Sequence, residues 1–276
     1  MDKNEDQSVN IPGKVYLCQI SESVSCGACC GLYNVPDLSC EALSDSLKHR
    51  TYEFAKTPRE VTEILRFGQT ICQTVQNGRP FPEFHHCPYV GLIAPEYSKI
   101  GCLLHPLGDG NNGVDFRGLS YYGGMACRIY FCPSYRFIPR RFKIIVRAAM
   151  DNWYEYGLII TEYNLINAFF EEIENRLATR LYLEMISPEA LSAIYRLLTL
   201  KLNWPFRGIR WQVVNYFFED QKYQPPAIDY QKLKAKPSSY HKMLYALGSN
   251  FSCTQNMHQA EDMLNIYFND ILESIF

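Results

Sequence analysis

Apolar positions recur every three to four residues through the second half of the chain. Ile166, Phe169, Phe170, Ile173, Leu177 and Leu181 keep the 3.6-residue spacing that gathers side chains on one face of a helix. Ser187-Pro188-Glu189 supplies a cap and a first-turn proline. It opens a further helix carrying Leu191, Ile194, Tyr195 and Leu198, which Trp204-Pro205 ends. Val213, Val214 and Phe217 predict a short helix, and Gln224-Pro225-Pro226 through Pro237 reads as a surface connection. Two last helices follow, one capped near Ser238 and stopped by Gly248, the other running from about Met257 to the end.

The first half alternates differently. From about Leu38 to Gln76 the pattern is helical, and Thr57-Pro58-Arg59-Glu60 looks like a helix start with Val61, Ile64, Leu65 and Ile71 sharing one face. Residues 77–135 lose the period. They are rich in Gly, Pro, His, Tyr and Cys, which favours loops, turns and short strands. Neither an internal repeat nor a low-complexity tract interrupts the chain.

Composition narrows the function classes. The net charge of −2 gives no basic excess for tracking phosphate backbones, so there is no evidence for nucleic acid as a partner. No apolar run approaches the roughly 20 residues that span a bilayer. The polar, acidic opening MDKNEDQSVNIPGK lacks the apolar region of a secretory signal. A soluble, cytoplasmic protein without a membrane partner is the expectation. In that compartment thiols stay reduced, and 11 cysteines then argue for metal or redox chemistry over a disulfide framework.

Ten of the eleven cysteines lie between Cys18 and Cys132. Cys26-Gly27-Ala28-Cys29-Cys30 places two thiols around a two-residue turn of small residues, a spacing that closes on one ion. Further thiols stand in His85-His86-Cys87-Pro88, in Gly101-Cys102-Leu103-Leu104-His105-Pro106, and in the CRIYFC run that holds Cys127 and Cys132. Seven soft donors in Gly/Pro-rich loops point to zinc or an iron–sulfur centre. The competing reading is a redox pair at Cys26 and Cys29, although no βαβ pattern surrounds it. Cys18, Cys40, Cys72 and Cys253 are read as small buried hydrophobes.

This succession of CGACC, CP with an apolar run, GC with an apolar pair, and ACR with aromatic residues resembles the cysteine-cluster proteins described as zinc- or iron-chelating, the YkgJ-like family. The resemblance covers about Cys18 to Pro133. It implies Cys26, Cys29, Cys30, Cys87, Cys102, Cys127 and Cys132 as ligands of a zinc ion or, alternatively, an iron–sulfur cluster. Members often carry a cysteine three positions before this motif; here Ser23 stands there, a departure for which Cys18 would have to substitute from farther away. Some relatives resemble lysine methylases acting on flagellin, and the last residues EDMLNIYFNDILESIF are loosely like their tails.

The expected fold is therefore mainly α, with an irregular cysteine-rich metal-binding region containing turns and short strands. Its domains are 12–140 (with a helical insert at about 38–76) and 141–276. The expected function is a metal-binding protein of the cysteine-cluster type; a cluster-dependent transferase of the lysine-methylase kind or a thiol redox protein is the alternative. His86 and His105 are candidate ligands or thiolate-orienting groups. Asp109, Asp115 and Arg117, in the loop after His105, are candidate substrate contacts, and Tyr121 and Tyr122 could line the same pocket. His49, His241 and His258 are expected to face solvent.

Overall fold

The computed structural model describes residues 11–75, 78–93, 98–208 and 226–275. It is mainly helical with one small antiparallel sheet of two strands. The expected short helix at Val213–Phe217 and the start of the following connection fall outside the described residues. No described helix is long and apolar enough to cross a membrane.

The chain divides into two compact units, one holding residues 18–132 with 152–157 and the other holding the remainder. The first is the cysteine-rich unit. Helix α1 (Cys40–Lys56) starts where the Ser39 hydroxyl accepts the amide of Ala42 at 3.3 Å. It buries Leu43, Leu47, Arg50 and Phe54 on one stripe. Helix α2 (Val61–Val75) follows after a break at Thr57-Pro58.

Thr57 was expected to open α2, and it closes α1 instead. The residue before a proline is pushed toward extended backbone. Thr57 is extended, its amide bonds Phe54 O at 3.0 Å, and its hydroxyl is spent on Glu53 O at 2.9 Å. The buried face of α2 is Ile64, Phe67, Gly68 and Ile71, whereas Val61 and Leu65 are exposed.

Strands β1 (Val90–Ile93) and β2 (Lys99–Cys102) pair with Val90 opposite Cys102 and Ile93 opposite Lys99. This hairpin packs on α1. The unit's core is Phe54, Ile64, Phe67, Ile71, Tyr89, Leu103 and Leu104 together with Cys87. Helix α3 (Gly123–Ile129) carries the ACR element beside a 3₁₀ turn at Arg117–Leu119. Residues 152–157 belong here because Tyr33 donates its hydroxyl toward the Trp153 and Tyr154 carbonyls, and Tyr154 donates to Leu38 O at 2.9 Å.

The second unit is helical, with α4 (Ser134–Phe137), α5 (Arg140–Ala149), α7 (Tyr163–Leu177), α8 (Pro188–Thr199), α9 (His241–Ala246) and α10 (Thr254–Ile275). Helix α6 (Trp153–Ile160) contributes its last residues. The predicted stripe of α7 is buried through Ile173, and Ala178 at φ 53° ends the helix before Leu181, which is buried outside it. The Ser187 cap forms as expected, accepting the Ala190 amide at 3.0 Å. Residues 133–151 pack in this unit, where Ser134 donates its hydroxyl to Ile160 O at 2.7 Å and Tyr135 accepts the Leu17 amide at 2.7 Å.

Two of the cysteines read as buried hydrophobes, Cys40 and Cys253, are exposed. Cys40 opens α1 beside its exposed cap, and Cys253 precedes α10, donating toward Asn256 at 3.2 Å. A short apolar side chain at a helix entry has little core to enter.

Candidate metal centre

The CGACC segment forms a 3₁₀ turn at Ala28–Cys30, and Gly31 leaves it at φ 70°. An added Cβ at Gly31 would collide with the carbonyl oxygen of His85. Only glycine therefore lets the turn lie against the HHC segment in this backbone conformation. There Cys87 donates its amide to Cys30 O at 2.8 Å, joining two motifs that are far apart in the chain. On the other side Cys26 donates its amide to Cys18 O at 2.7 Å, next to the bridge between Gln19 and Ser25.

These contacts sort the thiols into two neighbourhoods. Cys26 is close enough to Cys18, Cys29 and Cys132 for their charges to add to its raised pKa, whose largest cause is burial. Cys30, Cys87 and Cys102 pack on one apolar core. Burial pushes Cys87 up to about 12 and Cys102 up to about 11, and both feel the charge of Cys127. Cys29 and Cys30 join the two neighbourhoods: Cys30 hydrogen-bonds the Cys29 sulfur, so Cys29 loses its proton more easily and Cys30 holds its own well above the usual thiol range. Each of the seven expected ligands, and Cys18 with them, lies within electrostatic reach of at least one other thiol of the set. Cys29 and Cys127 are exposed and Cys87 is buried. Among the described residues, no three His, Cys, Asp or Glu side chains are arranged so as to hold a metal ion.

His86 is buried, with Nδ1 2.8 Å from Gly31 O, and burial drives its pKa down to about 3. His105 is half-buried, and its Nδ1 accepts the Leu107 amide at 3.1 Å. Asp115 accepts both arms of Arg117 at 2.9 and 2.7 Å and Nε of Arg128 at 2.9 Å. The Arg117 hydrogen bonds hold the Asp115 carboxyl well below the usual carboxylate range. Asp109 keeps an exposed side chain and offers its carbonyl to Arg59 at 2.8 Å. Tyr121 and Tyr122 flank His85, the first stacked at 4.6 Å and the second edge-on at 5.1 Å. His49, His241 and His258 are exposed, as expected.

Three residues near the thiols escaped the sequence reading. Arg50 is buried, reaches toward Cys87 O at 3.5 Å, and burial lowers its pKa to about 10. Its signal was a lone cation on the Leu43, Leu47, Phe54 stripe. Asn111 is buried and bonds Leu103 O at 2.8 Å and His105 O at 2.7 Å, which fixes the loop after the GC motif. Arg79 braces the loop before HHC through Phe84 O at 3.0 Å and Pro82 O at 3.1 Å.

Compared with protein-family models, with curated proteins and with solved structures, the chain finds no match.

Proposed function

We propose that this chain is a metal-binding protein of the cysteine-cluster type, taking zinc or an iron–sulfur centre on thiolates divided into two sets. One set is Cys18, Cys26, Cys29 and Cys132; the other is Cys30, Cys87, Cys102 and Cys127. The observation that supports this reading is that eight thiols from four segments lie within electrostatic reach of one another, with backbone bonds joining Cys18 to Cys26 and Cys30 to Cys87. Four thiolates suit a tetrahedral zinc or a cubane cluster. The donor chemistry of soft thiolates fits such a group. Arg50 beside Cys87 would offset part of the thiolate charge.

Elemental analysis and the visible spectrum of anaerobically purified protein test this. Two zinc ions per chain and no colour, or iron with sulfide and a brown absorption band, are the expected results. Cys87→Ser should remove metal from its own set and leave the other filled. Protein that carries neither zinc nor iron and takes up neither on reconstitution overturns the proposal.

A further inference from the structure

Helix α3 presents its apolar side chains to solvent, and none of its residues is buried. Tyr122, Met125 and Ile129 stand at the i, i+3, i+7 spacing that gathers side chains on one helical face. Met125 is 76% exposed and Ile129 65%. Tyr121 extends the stripe at the helix entry, its ring edge-on to Tyr122 at 5.1 Å. Tyr130, exposed at the helix end, lies within electrostatic reach of Tyr122. All five residues belong to the cysteine-rich unit.

An aromatic side chain can bury about 150–250 Å², so these five, each more than half exposed, offer on the order of 600 Å² together. A monomer rarely leaves so large a contiguous apolar patch open. Stable interfaces bury about 600–1,000 Å² on each partner, and two such patches face to face reach that range. The charge pattern also suits a second copy. Arg128 is the one cation of α3, and Asp115 of the same chain already accepts its Nε at 2.9 Å. Two patches can therefore meet without opposing unpaired charges. A lipid surface suits the patch less. Interfacial helices rely on many Lys and Arg beside the apolar face, and α3 has seven residues and a single arginine.

We infer that the chain forms a two-fold homodimer through the outer face of α3. Tyr121, Tyr122, Met125, Ile129 and Tyr130 of one copy pack on the same residues of the other. In a two-fold contact one patch serves both sides, so it need only be complementary to itself. Uncharged tyrosine, methionine and isoleucine side chains meet that condition, and Tyr and Met are enriched where interfaces are most buried.

Sedimentation equilibrium of the full chain, as purified, tests the inference. Twice the chain mass is expected at micromolar concentration. Met125→Glu and Ile129→Glu each bring a carboxylate from both copies into the contact, and should weaken association at least about thirtyfold. Both side chains are exposed, so the circular-dichroism spectrum and the metal content should stay those of the parent. Ile266→Glu, at an exposed apolar position on α10, should leave association unchanged. Amide exchange of the unsubstituted chain needs no variant: residues 121–130 should gain protection as concentration rises. A chain that stays monomeric, including one that instead pellets with phosphatidylcholine vesicles, overturns the inference. So does a dimer that survives Met125→Glu and Ile129→Glu, one lost on Ile266→Glu, or protection gained elsewhere but not at 121–130. Mass and exchange are read whatever metal the protein carries, so this inference and the metal reading fail separately.

Discussion

The two units of this protein differ in how their buried ionisable groups are paired. In the helical unit the buried charges are answered by partners: Lys201 and Glu162 form an ion pair, and Lys201 also donates to Leu158 O at 3.0 Å. Arg141 and Glu174 pair through two bonds of 2.7 Å. In the cysteine-rich unit Cys26, Cys87, Cys102 and His86 are buried or partly buried, and the largest cause of each shift is burial itself. One unit pairs these buried charges, although Thr161 Oγ1 and Asn167 Oδ1 within it are buried with no hydrogen-bond partner. The other holds groups whose charged forms await a counter-charge, the condition in which perturbed groups mark a site.

Metal removal should break this comparison most strongly. Structural zinc sites contribute on the order of 10–16 kcal/mol in small peptides at neutral pH. Chelation under reducing conditions should raise amide exchange across 18–132 while α7, α8 and α10 keep their protection. Equal protection with and without chelator would mean that the apolar core alone holds the cysteine-rich unit.

Next in size is the ion pair of the helical unit. Glu162→Ala leaves Lys201 buried and uncompensated, and should cost about 3–5 kcal/mol, read from urea denaturation. Metal content should not change. A loss below about 1 kcal/mol would mean that Leu158 O and water suffice for Lys201.

Gly31→Ala probes the joint between CGACC and HHC. Positive φ and the collision with His85 O should together cost about 1–3 kcal/mol, visible as a lower melting temperature of the cysteine-rich unit. A neutral outcome would show that the two segments separate without penalty.

Asp115→Asn is the smallest perturbation. The Asp115 pKa is depressed, first by Arg117, so the stability from this network is fully present above the ordinary carboxylate range and lost as pH falls below it. Because Arg128, the third member of the network, is more than half exposed and solvent screens the group, the substitution should cost about 1 kcal/mol at neutral pH. It should also flatten the acid limb of the stability–pH curve. An unchanged acid limb would remove Asp115 from the network's energetics.

Much of the helical unit was legible in the sequence. The α7 stripe, the Ser187 cap of α8 and the stop at Gly248 depend on spacing and on local caps within a few residues, and local chemistry decides them. The Thr57 reading failed because the same residue types serve both ends of a helix, and the packing of α1 chose between them. Val61 and Leu65 kept the helical period, yet a period does not say how wide the buried stripe is.

The candidate site divides in the same way. Legible in the chain alone were the concentration of thiols in the first half, the tight turn that the small Gly27 and Ala28 permit, and the adjacency of His86 to Cys87, because these are matters of composition and near-neighbour geometry. Only the tertiary structure decided that Cys18 joins Cys26, that Cys30 joins Cys87, that Arg50 reaches into the same region, and that Arg79 and His86 line one cleft. Those pairings span from seven to more than fifty residues. Closing such loops is decided by the packing of α1, α2 and the β1–β2 hairpin, a property of the folded core that no local spacing encodes.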